Sequence, residues 1–221
     1  MAAASSLTTE GLKTPRAAAV AGIVFSILLM LTFALVWSAI PADPLEPGAW
    51  LATSLDRVSL ALGLMPIAGV AFLWFIGVVR DRIGAREDRF FASVFLGSGL
   101  LFLGLMFIAA AIMGAIITTY TLMPGELIHS ASFPIARSFA FIIVNFYAVK
   151  MAAVFMVMTS TLALRTQFVA RWLALLGYVL ALCLLLGSQR FAWAFSVFPL
   201  WVLLLSVYIL IDNFSRAPEM H

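Results

Sequence analysis

Charge is what this sequence has least of: only 10% of its 221 residues are Asp, Glu, Lys or Arg, against roughly 25% in soluble domains. With 64% hydrophobic residues, a chain of this length holds more apolar side chain than one core can hide, so most of its surface must face lipid. A single cysteine, Cys183, excludes an intrachain disulfide and any paired-thiol site, and its apolar surroundings mark it as a packing residue. Of the two histidines, His129 lies in a turn and His221 is the last residue, too far apart to share a metal. No P-loop, HExxH, GxSxG or helix-opening GxGxxG occurs, so an enzyme is not expected and no cofactor is implied. The basic balance, +3 with a pI near 9.4, points to loops beside lipid headgroups rather than to nucleic acid.

What the chain has instead is long apolar runs. Crossing a hydrocarbon core of about 30 Å at 1.5 Å per residue takes roughly 20 residues. Six runs approach or exceed that length: 17–40, 58–79, 91–120, 135–164, 172–187 (the weakest) and 191–211. They are unbroken rather than alternating, which excludes a β-barrel, since in lipid each backbone polar group must be satisfied within a helix or a closed barrel. Prolines 41, 44 and 47, the charged stretch Arg80 to Arg89, and Pro124, Gly125 and Pro134 punctuate them. The fold expected is all-α, one six-span transmembrane bundle over 17–211 with short tails at 1–16 and 212–221. The run from residue 17 is too long for a cleavable signal core and reads as a retained span. Only Ser188, Gln189 and Arg190 separate the last two runs, which implies a tight antiparallel hairpin.

Positive residues stay in the cytoplasm, and here they sort. With the N-terminus inside, Lys13, Arg16, Arg80, Arg82, Arg86, Arg89, Arg165, Arg171 and Arg216 fall on one side, and only Arg57, Arg137 and Arg190 on the other. The bias demands an even number of spans, hence both termini inside. Trp37, Trp50 and Trp193 suit the outer interface and Trp172 the inner, whereas Trp201 lies mid-span and reads as packing.

Helices associate in lipid through close backbone approach. On the third run Gly97, Gly104 and Ala111 recur every seven residues, and Ala110 pairs with Gly114, a stripe expected to be a packing seam. Pro66 and Pro199 should each interrupt a span. Arg80, Arg82, Arg86 and Arg89 are interleaved with Asp81, Glu87 and Asp88, a mixed segment suited to anionic lipid or a partner.

Lys150 stands apart. It lies about 20 Å from either end of the fourth run, at a depth where insertion of a charge costs about 2.5 to 3.5 kcal/mol. No Asp or Glu lies inside another run to pair with it. Tyr147, at i−3, is expected on the same face, while Asn145 points elsewhere. Apart from Lys13, every other basic residue is Arg, so an amine that can shed its proton is placed where that property matters. Two readings stand: a polar site formed by Lys150 and Tyr147, or a structural lysine bonded to helix carbonyls.

The segments RDRIGAREDRFF (80–91), KMAAVFMVMTSTLALRT (150–166), RWLALLGY (171–178) and FPLWVLLLSVYILID (198–212) resemble those of six-span bacterial membrane proteins with no assigned activity. The resemblance implies the bacterial cytoplasmic membrane and transfers no functional residue. The expectation is a small channel or transporter for an anion or proton, as a homo-oligomer; the alternative is an accessory subunit binding a partner protein or lipid.

Overall fold

A computed structural model describes residues 14–41, 43, 46, 48–83, 89–167, 169–187 and 194–216. Every regular element among them is helical: α1 (Thr14–Ala39), α2 (Trp50–Thr53), α3 (Leu55–Ile83), α4 (Arg89–Leu122), α5 (Pro124–Ile128), α6 (Ser132–Ile142), a π-helical turn (Ile143–Ala148), α7 (Val149–Thr166), α8 (Arg171–Gly187) and α9 (Ala194–Arg216). Among the described residues five stretches are long and apolar enough to cross a membrane, and α8, with 17 residues, is a shorter apolar sixth. The chain is an all-α polytopic bundle.

The helices overrun the apolar runs at their ends. α3 continues past Val79 into the arginine segment as far as Ile83, and α9 continues past Ile211 to Arg216. Helical hydrogen bonding does not stop where an apolar run does. α6, the π turn and α7 form one uninterrupted stretch of 35 residues, Ser132–Thr166, and Phe90–Leu122 has 33; at 1.5 Å per residue both rise about 50 Å. α8 rises only about 25 Å, short of the hydrocarbon core of about 30 Å. Both α3 and α9 run through their prolines, Pro66 and Pro199. The hairpin expected at 188–190 and Trp193 lie outside the described residues.

Packing follows a ring. α1 sits between α3 and α9, α4 between α3 and α7, and α8 on α7, while α9 closes the circuit by touching α7 and α8. The centre is filled with phenylalanine. Phe72 is the hub: its ring lies 4.5 Å from Phe25, 5.6 Å from Phe102, 5.3 Å from Phe155 and 5.8 Å from Phe198. Phe25, Phe72, Phe155 and Phe198 are each no more than 2% exposed. Edge-to-face and stacked pairs contribute about 0.5–1.5 kcal/mol each beyond area burial, which matters where lipid is as apolar as the core. A smaller cluster, with Trp50, Leu51, Val58, Ile116, Leu127 and Phe133, binds α2 and α5 across one end of the bundle.

Close helix approach occurs elsewhere than expected. An added Cβ at Gly97 or Gly104 meets nothing within 4 Å, and at Gly114 only Leu62 Cδ1 at 4.0 Å; Ala111 is exposed. The seven-residue stripe is therefore not a seam within this chain, because it faces away from the ring. The seams run through Gly22, whose Cβ would strike Ser206 Oγ and Phe75, and through Gly177, against Ser160 Oγ and Trp201. Trp201 is buried packing, as its mid-span position implies, whereas Cys183 is exposed rather than packed.

Two alanine substitutions separate these roles. Gly177→Ala is expected to destabilise the bundle by about 1–3 kcal/mol through overpacking. Gly104→Ala is expected to be neutral or stabilising by up to about 1 kcal/mol from helix propensity. Unfolding titrations in detergent read both, and the reverse order contradicts the seam assignment.

Candidate functional site

Lys150 begins the second α-helical half of the longest stretch, and its neighbours explain it. Its Nζ donates to the Leu184 carbonyl at 3.1 Å and also to the Leu185 carbonyl. These belong to the last turn of α8, where four carbonyls have no partner inside the helix and where the helix dipole favours a cation. Because α8 is short, its end stays within reach of the middle of the neighbouring span, where water does not supply the missing donors. Lysine supplies them. The absence of an intramembrane carboxylate is thereby accounted for, since the counter-group is the negative end of a helix.

Tyr147 does not join Lys150. Its side chain is 52% exposed and packs edge-on against Phe146, 5.0 Å between ring centres. The aromatic ring beside the lysine is Phe146, with Nζ 5.8 Å from its centre. The cause is the π turn at Ile143–Ala148, which widens the helix and rotates the residues before it relative to those after. Asn145 has a hand in that turn: its Nδ2 donates at 3.0 Å to the Phe141 carbonyl, the group that an α-helix would offer to the Asn145 backbone N–H.

Arg80 is exposed, Arg82 and Arg89 lie on the helical backbone, and Arg86 lies outside the described residues. At the same end the Arg165 guanidinium lies 4.1 Å from the centre of the Phe91 ring, a cation–π contact joining α7 to α4.

The basic residue that the sequence undervalued is Arg137. Counted as a charge at the outer end of the fourth run, it is on α6 and only 5% exposed. Nη1 donates to the Glu46 carbonyl at 2.9 Å, and Nη2 to those of Pro41 and Asp43 at 3.1 and 3.0 Å. The Trp50 and Phe133 rings stand 6.0 and 5.9 Å from its guanidinium, so Trp50 is a buried partner of this arginine rather than an interfacial ring. One side chain thus ties the segment after α1 to α6. A proline-rich connection, with fewer backbone donors and carbonyls left over, was the sequence signal for it.

Beneath this tie lies a cavity of about 850 Å³, within the range of small-molecule sites. α1 supplies Thr32 to Trp37, α3 Leu62 and Met65, α4 Met106, Ala110 and Met113, and α6 with the π turn Phe141 to Tyr147; Phe195 of α9 and Arg137 complete it. Polar groups are few. Asn145 donates through Nδ2 to Phe141, which leaves its second N–H and its Oδ1, and Thr32 Oγ1 is buried without a hydrogen-bond partner. α6 packs chiefly on α4 and α5, and α1 on α3 and α9, with little contact between α1 and α6; Trp37, Phe141, Ile142 and Tyr147, on the two sides of this gap, are all between 48% and 52% exposed. The cavity therefore has a side opening between α1 and α6. Tyr147, expected beside the lysine, borders this opening instead.

No known protein family matches the chain, and no characterised protein or solved structure is similar to it.

If Lys150 serves the end of α8, Lys150→Met strands buried carbonyls and is expected to destabilise the protein by about 1–3 kcal/mol, with Lys150→Arg recovering much of the loss. Thermal unfolding in detergent distinguishes this from a functional lysine, whose replacement by Met leaves the melting temperature unchanged.

Proposed function

We propose that this protein binds a lipophilic small molecule taken sideways from the bilayer into the cavity bounded by α1, α3, α4 and α6. The carrying observation is the combination of a largely apolar cavity of about 850 Å³ with exposed lining residues on α1 and α6, two helices that make little contact with each other. A ligand arriving through such an opening never has to leave hydrocarbon, so no desolvation step opposes entry.

In this reading the arginine-rich end, with both termini, faces the cytoplasm, and the α2/α5 end faces outward. The sorting of positive residues supports that orientation, and the segment resemblance supports a bacterial cytoplasmic membrane. Arg80 and its neighbours then meet anionic headgroups. The open stripe of Gly97, Gly104 and Ala111 leaves room for a helix of a second copy, in keeping with a homo-oligomer.

Transport of an anion or proton past Lys150 is the weaker reading, for two reasons. The amine is committed to the Leu184 and Leu185 carbonyls, and the phenylalanine cluster around Phe72 fills the centre of the ring. One observation favours a carrier of the lipophilic molecule itself: Pro66 adjoins the cavity residue Met65 on one wall, and the π turn forms another. Both are points where a helix flexes.

Protein purified in mild detergent and analysed by native mass spectrometry is expected to carry a bound molecule near one per chain. Ala110→Phe and Met113→Trp fill the cavity and should reduce that occupancy about tenfold or more, a loss of roughly 1.4 kcal/mol or more in binding, while Gly104→Ala leaves it intact. Equal occupancy in the filled variants, or none in the wild type, overturns the proposal.

A further inference from the structure

The chemistry of the cavity wall specifies its occupant more closely, on the footing of the binding function just proposed. The cavity runs from an outer end at Pro41, Val58 and Arg137 to a floor of Phe33, Met106, Val144 and Phe195, four residues it shares with a small crevice beneath it. Asn145 adjoins that floor. It lies eight residues past Arg137, about 12 Å farther into the membrane at 1.5 Å per residue, so the two polar side chains serve opposite ends.

Charge is confined to the outer end. Among the described residues Arg137 is the one charged side chain in the lining, and it is already engaged, donating to the Pro41, Asp43 and Glu46 carbonyls and feeling the charges of Glu46 and Asp43. A charged group carried to the floor would lose its water and find no counter-ion in the wall. The buried part of the occupant is therefore uncharged.

It is not bare hydrocarbon either. Asn145 donates from Nδ2 to the Phe141 carbonyl at 3.0 Å, which leaves a second N–H and Oδ1, and Tyr147 adds a hydroxyl where the cavity opens sideways. An amide half in use at this depth costs free energy until a partner completes it. A ligand bearing oxygen at this level does so, and a plain acyl chain does not.

Aromatic rings gather at the same level. Phe195 meets Phe33 edge-on at 4.5 Å and Trp37 at 5.3 Å on the α1–α9 side, while Phe146 meets Tyr147 at 5.0 Å on the π-turn side; all five line the cavity. Such rings favour a planar conjugated partner, held edge-on or offset. Met65, Met106 and Met113 supply adaptable apolar wall for a flexible tail, and the opening beside Trp37 and Ile142 lets that tail run out into lipid.

We infer that the occupant is a lipophilic quinone or quinol, an uncharged planar ring whose oxygens meet the Asn145 amide and the Tyr147 hydroxyl and whose apolar tail leaves between α1 and α6. An amide suits both forms. Its N–H donates to a ring carbonyl, and its Oδ1 accepts from a ring hydroxyl.

The test offers full-length protein in mild detergent two probes at equal concentration: decylubiquinone, and decylbenzene, which has a ring and tail without oxygen. After free probe is removed on a sizing column, bound probe is extracted and quantified by chromatography, and retention above that of the cavity-filled variant Ala110→Phe is the measure. Wild-type protein is expected to retain the quinone over decylbenzene by about fivefold. Asn145→Leu or Tyr147→Phe, the second of which removes a single hydroxyl, should shrink that preference while decylbenzene retention persists. Equal retention of the two probes, or a preference unchanged in both variants, overturns the inference. Retention of decylbenzene alone also overturns it, while leaving the binding function standing. Retention of neither overturns it too, and the binding function falls with it only if the protein as purified carries no bound molecule.

Discussion

Inside a bilayer no water is available to complete the hydrogen bonding of the backbone, and this constraint organises the whole molecule. It accounts for the helices, and it accounts equally for the two cations that sit among apolar residues. Lys150 donates to Leu184 and Leu185 at the end of α8, and Arg137 donates to Pro41, Asp43 and Glu46 after the end of α1. In both cases a long basic side chain from the α6–α7 stretch completes carbonyls that a helix end or an irregular connection leaves over. For Lys150 the counter-group is backbone, whereas Arg137 also feels the charges of Glu46 and Asp43.

The division of the bundle follows from where these fastenings lie. Towards the arginine-rich end, tight packing through Gly22 and Gly177 and the phenylalanine cluster leave a filled interior. Towards the other end, α1 and α6 make little contact, and the Arg137 bonds tie α6 to the segment after α1. The cavity is the consequence of that separation. The π turn adds to it by carrying Asn145, Phe146 and Tyr147 into its wall.

The architecture was legible in the sequence because its signal is additive: each apolar run declares itself by length, and the prolines and charges between runs declare the turns. Even the shortness of 172–187 was visible, and it is what makes Lys150 necessary. The site was not legible in the same way. Lys150 attracted attention by depth alone, and only the arrangement of helices reveals which carbonyls it reaches. Tyr147 was misplaced because a heptad or 3.6-residue count assumes an unbroken α-helix, and nothing in the residues Ile143 to Ala148 announces a π turn. Gly97 and Gly104 follow a packing pattern yet face outward, since periodicity marks a face of a helix without saying what lies against it. Arg137 and the cavity depend on contacts across more than ninety residues, which no local pattern encodes.

The central claim is that the basic residues of the bundle are structural fastenings and that binding belongs to the cavity between α1 and α6. A density map of the wild-type protein in a native-lipid nanodisc tests it most directly. The account predicts elongated density between Trp37 and Ile142, reaching down to Met65 and Met106, and the Lys150 amine bonded to the α8 carbonyls with no ligand beside it. An empty cavity, with density for a small molecule or ion at the Lys150 amine, would contradict it.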